Sequence, residues 1–105
     1  MKTIQGDRGT GRTTKLIEVA AELQDEGYGV IYAVPQESWI DHLFPMMQDV
    51  LDMSRVEVHT QFGLRFATRI VNPIWVVVAD DTDLWNNDNA VYLHSLGPQL
   101  KAIVV

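Results

Sequence analysis

Residues 6–14 read GDRGTGRTT, with glycines at 6, 9 and 11, arginines at 8 and 12 and threonines at 10, 13 and 14. Such a stretch is suited to holding a phosphate. Glycines let consecutive backbone N–H groups turn inward and let the anion approach closely. A helix starting just beyond them adds free N–H groups and the positive end of its dipole. Gly6, Asp7, Arg8, Gly9, Thr10, Gly11, Arg12, Thr13 and Thr14 are therefore candidate phosphate-binding residues. Arg12 supplies a cation for phosphate oxygens, and Thr13 supplies a hydroxyl for Mg²⁺. The competing reading is a glycine-rich strand-to-helix turn with Thr13 as the helix cap.

A second chemical cluster lies far along the chain. The apolar run Ile74–Ala79 ends directly in Asp80-Asp81-Thr82-Asp83. Acids at the carboxyl end of a buried parallel strand stand where α/β sheets bind ligands. Asp80 is the candidate metal ligand opposite Thr13, and Asp81 is positioned to orient or deprotonate an attacking water. The competing reading makes Asp80, Asp81 and Asp83 turn and capping residues.

The elements that must position these groups can be read from periodicity. Lys2–Gln5 is a short first strand. Leu16, Val19, Ala20 and Leu23 recur at helical spacing, predicting a helix over 13–26 that Gly27 stops. GVIYAV at 29–34 reads as a buried strand ended by Pro35. A helix follows from Ser38, with Ser38 and Asp41 as a capping box, and runs to about Met53 with a break or kink at Pro45. RVEVH at 55–59 alternates like a half-buried strand. The segment 61–69 reads as a short helix with Leu64 and Phe66 inward, 85–89 as loop, 90–95 as helix and 100–105 as a last buried strand. Strand and helix alternate with few hairpin signals. The expected fold is α/β, a three-layer parallel sheet of five strands with helices on both faces.

Composition narrows the function classes. The 105 residues predict one domain, residues 1–105, large enough to bury a core. No cysteine is present, which excludes disulfides, thiolate metal sites and a cysteine nucleophile and suits a cytoplasmic setting. Residues 1–9 lack the apolar run of a signal peptide, and no stretch is long enough to cross a bilayer, so no membrane role is expected. The formal net charge of −6 does not favour nonspecific binding to nucleic acid. His42, His59 and His94 show no metal-ligand spacing.

Gly6-x-x-x-x-Gly11-Arg12-Thr13 differs from the phosphate-loop formula at one position, arginine for lysine. GDRGTGRTT thus resembles a Walker A motif and WVVVADD a Walker B motif. The chain is similar to P-loop NTPases, and more narrowly to the first RecA-like domain of helicases and of viral DNA-packaging ATPases, the large terminases of phages. VIYAVPQE and VEVHT resemble the segments that approach nucleic acid in that family, and LKAIVV the strand leading to its sensor motif. The resemblance implies ATP or another NTP with Mg²⁺ as cofactors and a strand order of 1-5-4-2-3. It also implies an open first-strand edge, where self-association or a protein partner would pair.

Three departures bear on activity. Arg12 is wider and planar where the family has lysine. Asp81 stands one methylene short of the usual glutamate. The family's sensor, second domain and arginine finger have no counterpart in these residues, so hydrolysis by the isolated monomer is expected to be slow.

Two functions follow. One is Mg²⁺-dependent NTP binding with weak or partner-dependent hydrolysis, linked to nucleic-acid processing, with Asp81 and Arg12 as catalytic groups. The alternative is a degenerate P-loop scaffold that binds another protein without turnover. A nucleotide or nucleoside kinase is the weaker third reading. Arg65 and Arg69 read as a solvated helix face, against a competing role as fingers or nucleic-acid contacts; Gln61 reads as a turn residue, against a contact to a nucleic-acid strand; and Trp85 reads as core or rim packing, against base stacking.

Overall fold

A computed structural model describes residues 1–6 and 11–105. Three apolar runs set the centre of the sheet. The strands β2 (Gly29–Val34) and β4 (Trp75–Ala79) are buried along their whole length, and β5 (Leu100–Val104) nearly so. Such strands have no solvent face and require cover on both sides. β1 (Lys2–Ile4) and β3 (Val56–Thr60) are shorter or half-buried and take the edges. All pairings are parallel, in the order β1-β5-β4-β2-β3 expected from the sequence.

Helices cover both faces. Helix α1 (Arg12–Asp25) buries Leu16, Ile17, Val19, Ala20 and Leu23, and α2 (Ser38–Val50) buries Leu43 and Met47. Both pack against Val30, Tyr32, Val34, Val76 and Val78 on one face. Helix α3 (Asn87–Ser95) and a set of 3₁₀ turns cover the other face around Ile31, Val77, Ala79 and Ile103. Because side chains alternate along a strand, even-numbered residues of β2 and β4 face α1 and α2. This is a generic Rossmann or P-loop-like topology.

Four local expectations are corrected. The segment 61–69 is not an α-helix but two 3₁₀ turns, Leu64–Phe66 and Thr68–Val71. Leu64, Ala67 and Ile70 recur every third residue and pack on the core, the repeat of a three-residue turn. Phe66 therefore points out and is 78% exposed. Helix α2 passes through Pro45 unbroken, held by buried Leu43 and Met47 on either side, and ends at Val50 rather than near Met53. Its N-cap is Glu37 with no side-chain cap bond, so the Ser38–Asp41 capping box does not form. The loop expected at 85–89 already contains the start of α3, because the Asn86 side chain accepts from the Asn89 N–H and caps the helix.

Candidate functional site

The site is built where α1 begins beside the carboxyl ends of β4 and β5. Gly6 and Gly11 have φ of 146° and 79°, a region that favours glycine. Gly11 precedes α1 as its N-cap without a side-chain cap bond, so Thr13 is not the helix cap. Its hydroxyl instead faces Asp80 Oδ1 at 3.4 Å. Thr14 lies in the same first turn of α1. Asp7, Arg8, Gly9 and Thr10 lie outside the described residues.

Asp80 is fully buried, and its backbone extends the β4 ladder by donating to Ala33 O at 2.8 Å. Its carboxylate is held from two sides. The Tyr32 hydroxyl donates to Oδ2 at 2.9 Å, and Thr13 faces Oδ1. The Trp85 indole N–H donates to the Asp80 carbonyl at 3.0 Å. Burial pushes the Asp80 carboxyl above its ordinary pKa, the two hydroxyls oppose that, and the Asp81 charge adds to it. Burial next to this carboxylate also pushes the Tyr32 phenol well up.

Asp81 is buried and sits at φ 45°, a left-handed conformation that aspartate tolerates better than most residues. It opens the 3₁₀ turn Thr82–Leu84, with the Leu84 N–H donating to its carbonyl at 3.0 Å. Asp81 thus has the turn position of the competing reading, while Asp80 faces Thr13 across the site.

Arg12 bridges neighbouring elements. One guanidinium nitrogen donates to the Val105 backbone oxygen, and the other lies 3.9 Å from Asp81 Oδ2. Its side chain is 11% exposed, so the contact is largely shielded from water. The candidate cation is therefore turned toward the strand ends.

Thr13 and Asp80 supply two hard oxygen donors facing one another, which suits Mg²⁺, an ion that keeps several waters and needs few protein ligands. Among the described residues no group of three or more His, Asp or Glu gathers as a metal cage. A cleft of 480 Å³ opens beside Thr13, walled by Ser38, Trp39, His42, Leu43 and Met46 of α2. A second of 550 Å³ includes Gln36, Thr60, Phe62 and Trp85 at the carboxyl ends of β2 and β3. The larger cavity of 670 Å³, lined in part by Tyr28, Pro73 and Lys101, lies at the opposite end of the sheet and away from these acids.

No protein-family model, curated protein or solved structure matches the chain. Among the described residues no helix is long and apolar enough to cross a membrane.

Two residues here do more than their local sequence indicates. Tyr32 looked like one more apolar residue of a buried strand. Its register against Val78 carries the signal, since Asp80 follows two residues later on the same face. Gln61 is only 4% exposed and no ordinary turn residue. Its amide donates to Pro35 O at 3.0 Å and Leu84 O at 3.3 Å, and its oxygen accepts from Asn86 N at 2.8 Å and Asn89 Nδ2 at 3.1 Å. Arg65 and Arg69 are exposed, as expected of a solvated face, yet both are engaged. Arg65 lies over the Tyr92 ring at 4.7 Å, and Arg69 lies over Trp75 at 4.5 Å while pairing with Glu57 at 2.8 Å.

Proposed function

We propose that the chain binds a Mg²⁺–nucleoside triphosphate, ATP being the reference case, at the start of α1, with hydrolysis that is weak or depends on a partner. The observation that carries this is the 3.4 Å approach of the Thr13 hydroxyl to the Asp80 carboxylate at the carboxyl edge of a parallel sheet. In this reading the phosphates lie against Gly11 and the first turn of α1, where free N–H groups and the helix dipole favour an anion. Thr13 and Asp80 would hold Mg²⁺, which when bound would neutralise phosphate charge. Asp81 orients the attacking water, and Arg12 leaves Asp81 to pair with phosphate oxygens. A role in nucleic-acid processing would use the cleft at Thr60 and Phe62. A partner chain would pair with the outer edge of β1, whose described strand partner is β5.

One observation favours a second reading, a P-loop-like scaffold that binds protein without turnover. Arg12 already has acceptors in Val105 and Asp81. Calorimetry with a nonhydrolysable ATP analogue, with and without Mg²⁺, separates the two. Binding that needs Mg²⁺ and weakens at least tenfold in Thr13→Ala supports the nucleotide reading. Absence of binding at millimolar analogue supports the scaffold.

A further inference from the structure

We infer that Tyr32 is a positioning residue for the metal site, fixing the Asp80 carboxylate so that one oxygen is committed to the protein and the other is presented beside Thr13. The inference rests on the nucleotide reading and adds to it the residue that sets Mg²⁺ affinity.

A phenol is an unusual residue at this place. β2 is Gly-Val-Ile-Tyr-Ala-Val, buried throughout, and Tyr32 has no solvent exposure. Its ring packs in the cluster formed by α1, α2 and the sheet, where phenylalanine would fill the same space. A hydroxyl in such surroundings costs folding energy unless it is bonded. It donates to Asp80 Oδ2 at 2.9 Å, a normal hydrogen bond, whereas Thr13 stands off Oδ1 at 3.4 Å, long for a hydroxyl on a carboxylate. The two oxygens are thereby made different. Oδ2 accepts from a donor whose ring is fully buried, and Oδ1 is the one turned to α1.

The backbone is fixed as well. The Asp80 N–H is bonded to Ala33, the residue after Tyr32, and its carbonyl to Trp85. A carboxylate pinned at backbone and at one oxygen has lost its rotational freedom before any ligand arrives. Groups that orient a metal ligand in this manner typically change affinity by about 10- to 100-fold when removed.

The test is calorimetric titration of a nonhydrolysable ATP analogue into wild type and Tyr32→Phe, each with Mg²⁺ and with chelator. The expected result is a loss of about tenfold or more in the Mg²⁺-dependent affinity, with the Mg²⁺-free affinity unchanged. Equal affinities in both proteins, or parallel losses with and without Mg²⁺, overturn the inference, because a purely structural tyrosine has no reason to distinguish the two conditions. Wild type that binds no analogue overturns the nucleotide reading itself. A second measurement needs no variant. The buried Tyr32 hydroxyl proton should shift in proton NMR on adding Mg²⁺ with the analogue and not with the analogue alone. Identical spectra overturn the inference.

Discussion

Two buried polar groups directly follow the strands on either side of β2, Gln61 after β3 and Asp80 after β4, and they are satisfied in different ways. Gln61 is a neutral amide with four good partners, and with them it ties the end of β2, the turn after β4 and the start of α3 into one knot. Asp80 is a carboxylate with one normal hydroxyl bond, one long one, and a pKa raised by its own burial. Filling every hydrogen-bond site of a neutral group builds structure. Burying an acid with so little counter-charge spends folding stability on keeping a hard oxygen in place.

The largest expected effect tests the first half of that contrast. Gln61→Met conserves shape but leaves the Asn86 N–H and the Pro35 carbonyl without their amide partner. Buried unsatisfied groups cost about 1–3 kcal/mol each, so the variant should lose about 3 kcal/mol. For a chain of this size that lowers Tm by roughly 10–20 °C, read by calorimetry or circular dichroism. The rise in Tm produced by Mg²⁺ and an ATP analogue should be the same as in wild type. A loss below about 0.5 kcal/mol, the range of ordinary surface substitutions, would mean the knot is decorative and the contrast is wrong.

How much of each group was legible in sequence follows from the range of its contacts. Central and edge strands could be told apart because strand apolarity is local, and GVIYAV, WVVVA and LKAIV differ visibly from KTI and VEVHT, whereas their order followed from the resemblance to P-loop NTPases. Thr13 and Asp80 could be paired because a glycine loop before a helix and an acid after an apolar strand are each local patterns. Gln61 could not be read, because its four partners come from residues 35, 84, 86 and 89, and nothing near VHTQFG announces them. Tyr32 was hidden for a similar reason. Its hydroxyl partner is 48 residues away and depends on the β2–β4 register. The segment 61–69 was misread because a three-residue repeat over so few turns resembles helical spacing until Phe66 is seen to point outward.

A second prediction sharpens the Asp80 half. Its pKa is raised from 3.8 in the folded state, so the folded protein holds that proton more tightly than the unfolded chain. The associated stability is fully present below the unfolded value and is lost as pH rises through the folded one. Asp80→Asn removes this titration. The stability of wild type relative to Asp80→Asn should therefore fall as pH is raised from about 3.5, just under the unfolded aspartate pKa, and level off above the folded value. Denaturant unfolding of both proteins across that range measures it. A difference that stays constant, or that grows in favour of wild type with rising pH, would show that the Tyr32 and Thr13 hydroxyls outweigh burial and that Asp80 is as settled as Gln61.

The smallest effect is expected at Arg12, where the two halves of the contrast meet. Its planar fork serves two acceptors from two nitrogens, the Val105 oxygen and, at 3.9 Å, Asp81. Lysine lacks the two separated nitrogens of the planar fork that reach these acceptors, so Arg12→Lys should cost about 1 kcal/mol, one hydrogen bond's worth. The same change should raise affinity for a Mg²⁺–ATP analogue. A compact ammonium fits inside a phosphate loop more easily, and it is released from the pull toward the strand ends. Stability falling while affinity rises would place Arg12 with Gln61, as a structural tie occupying a position where the ligand wants a freer cation. If affinity falls along with stability, the guanidinium holds phosphate in its own right, and its contact with Asp81 is a resting place from which it swings to the ligand.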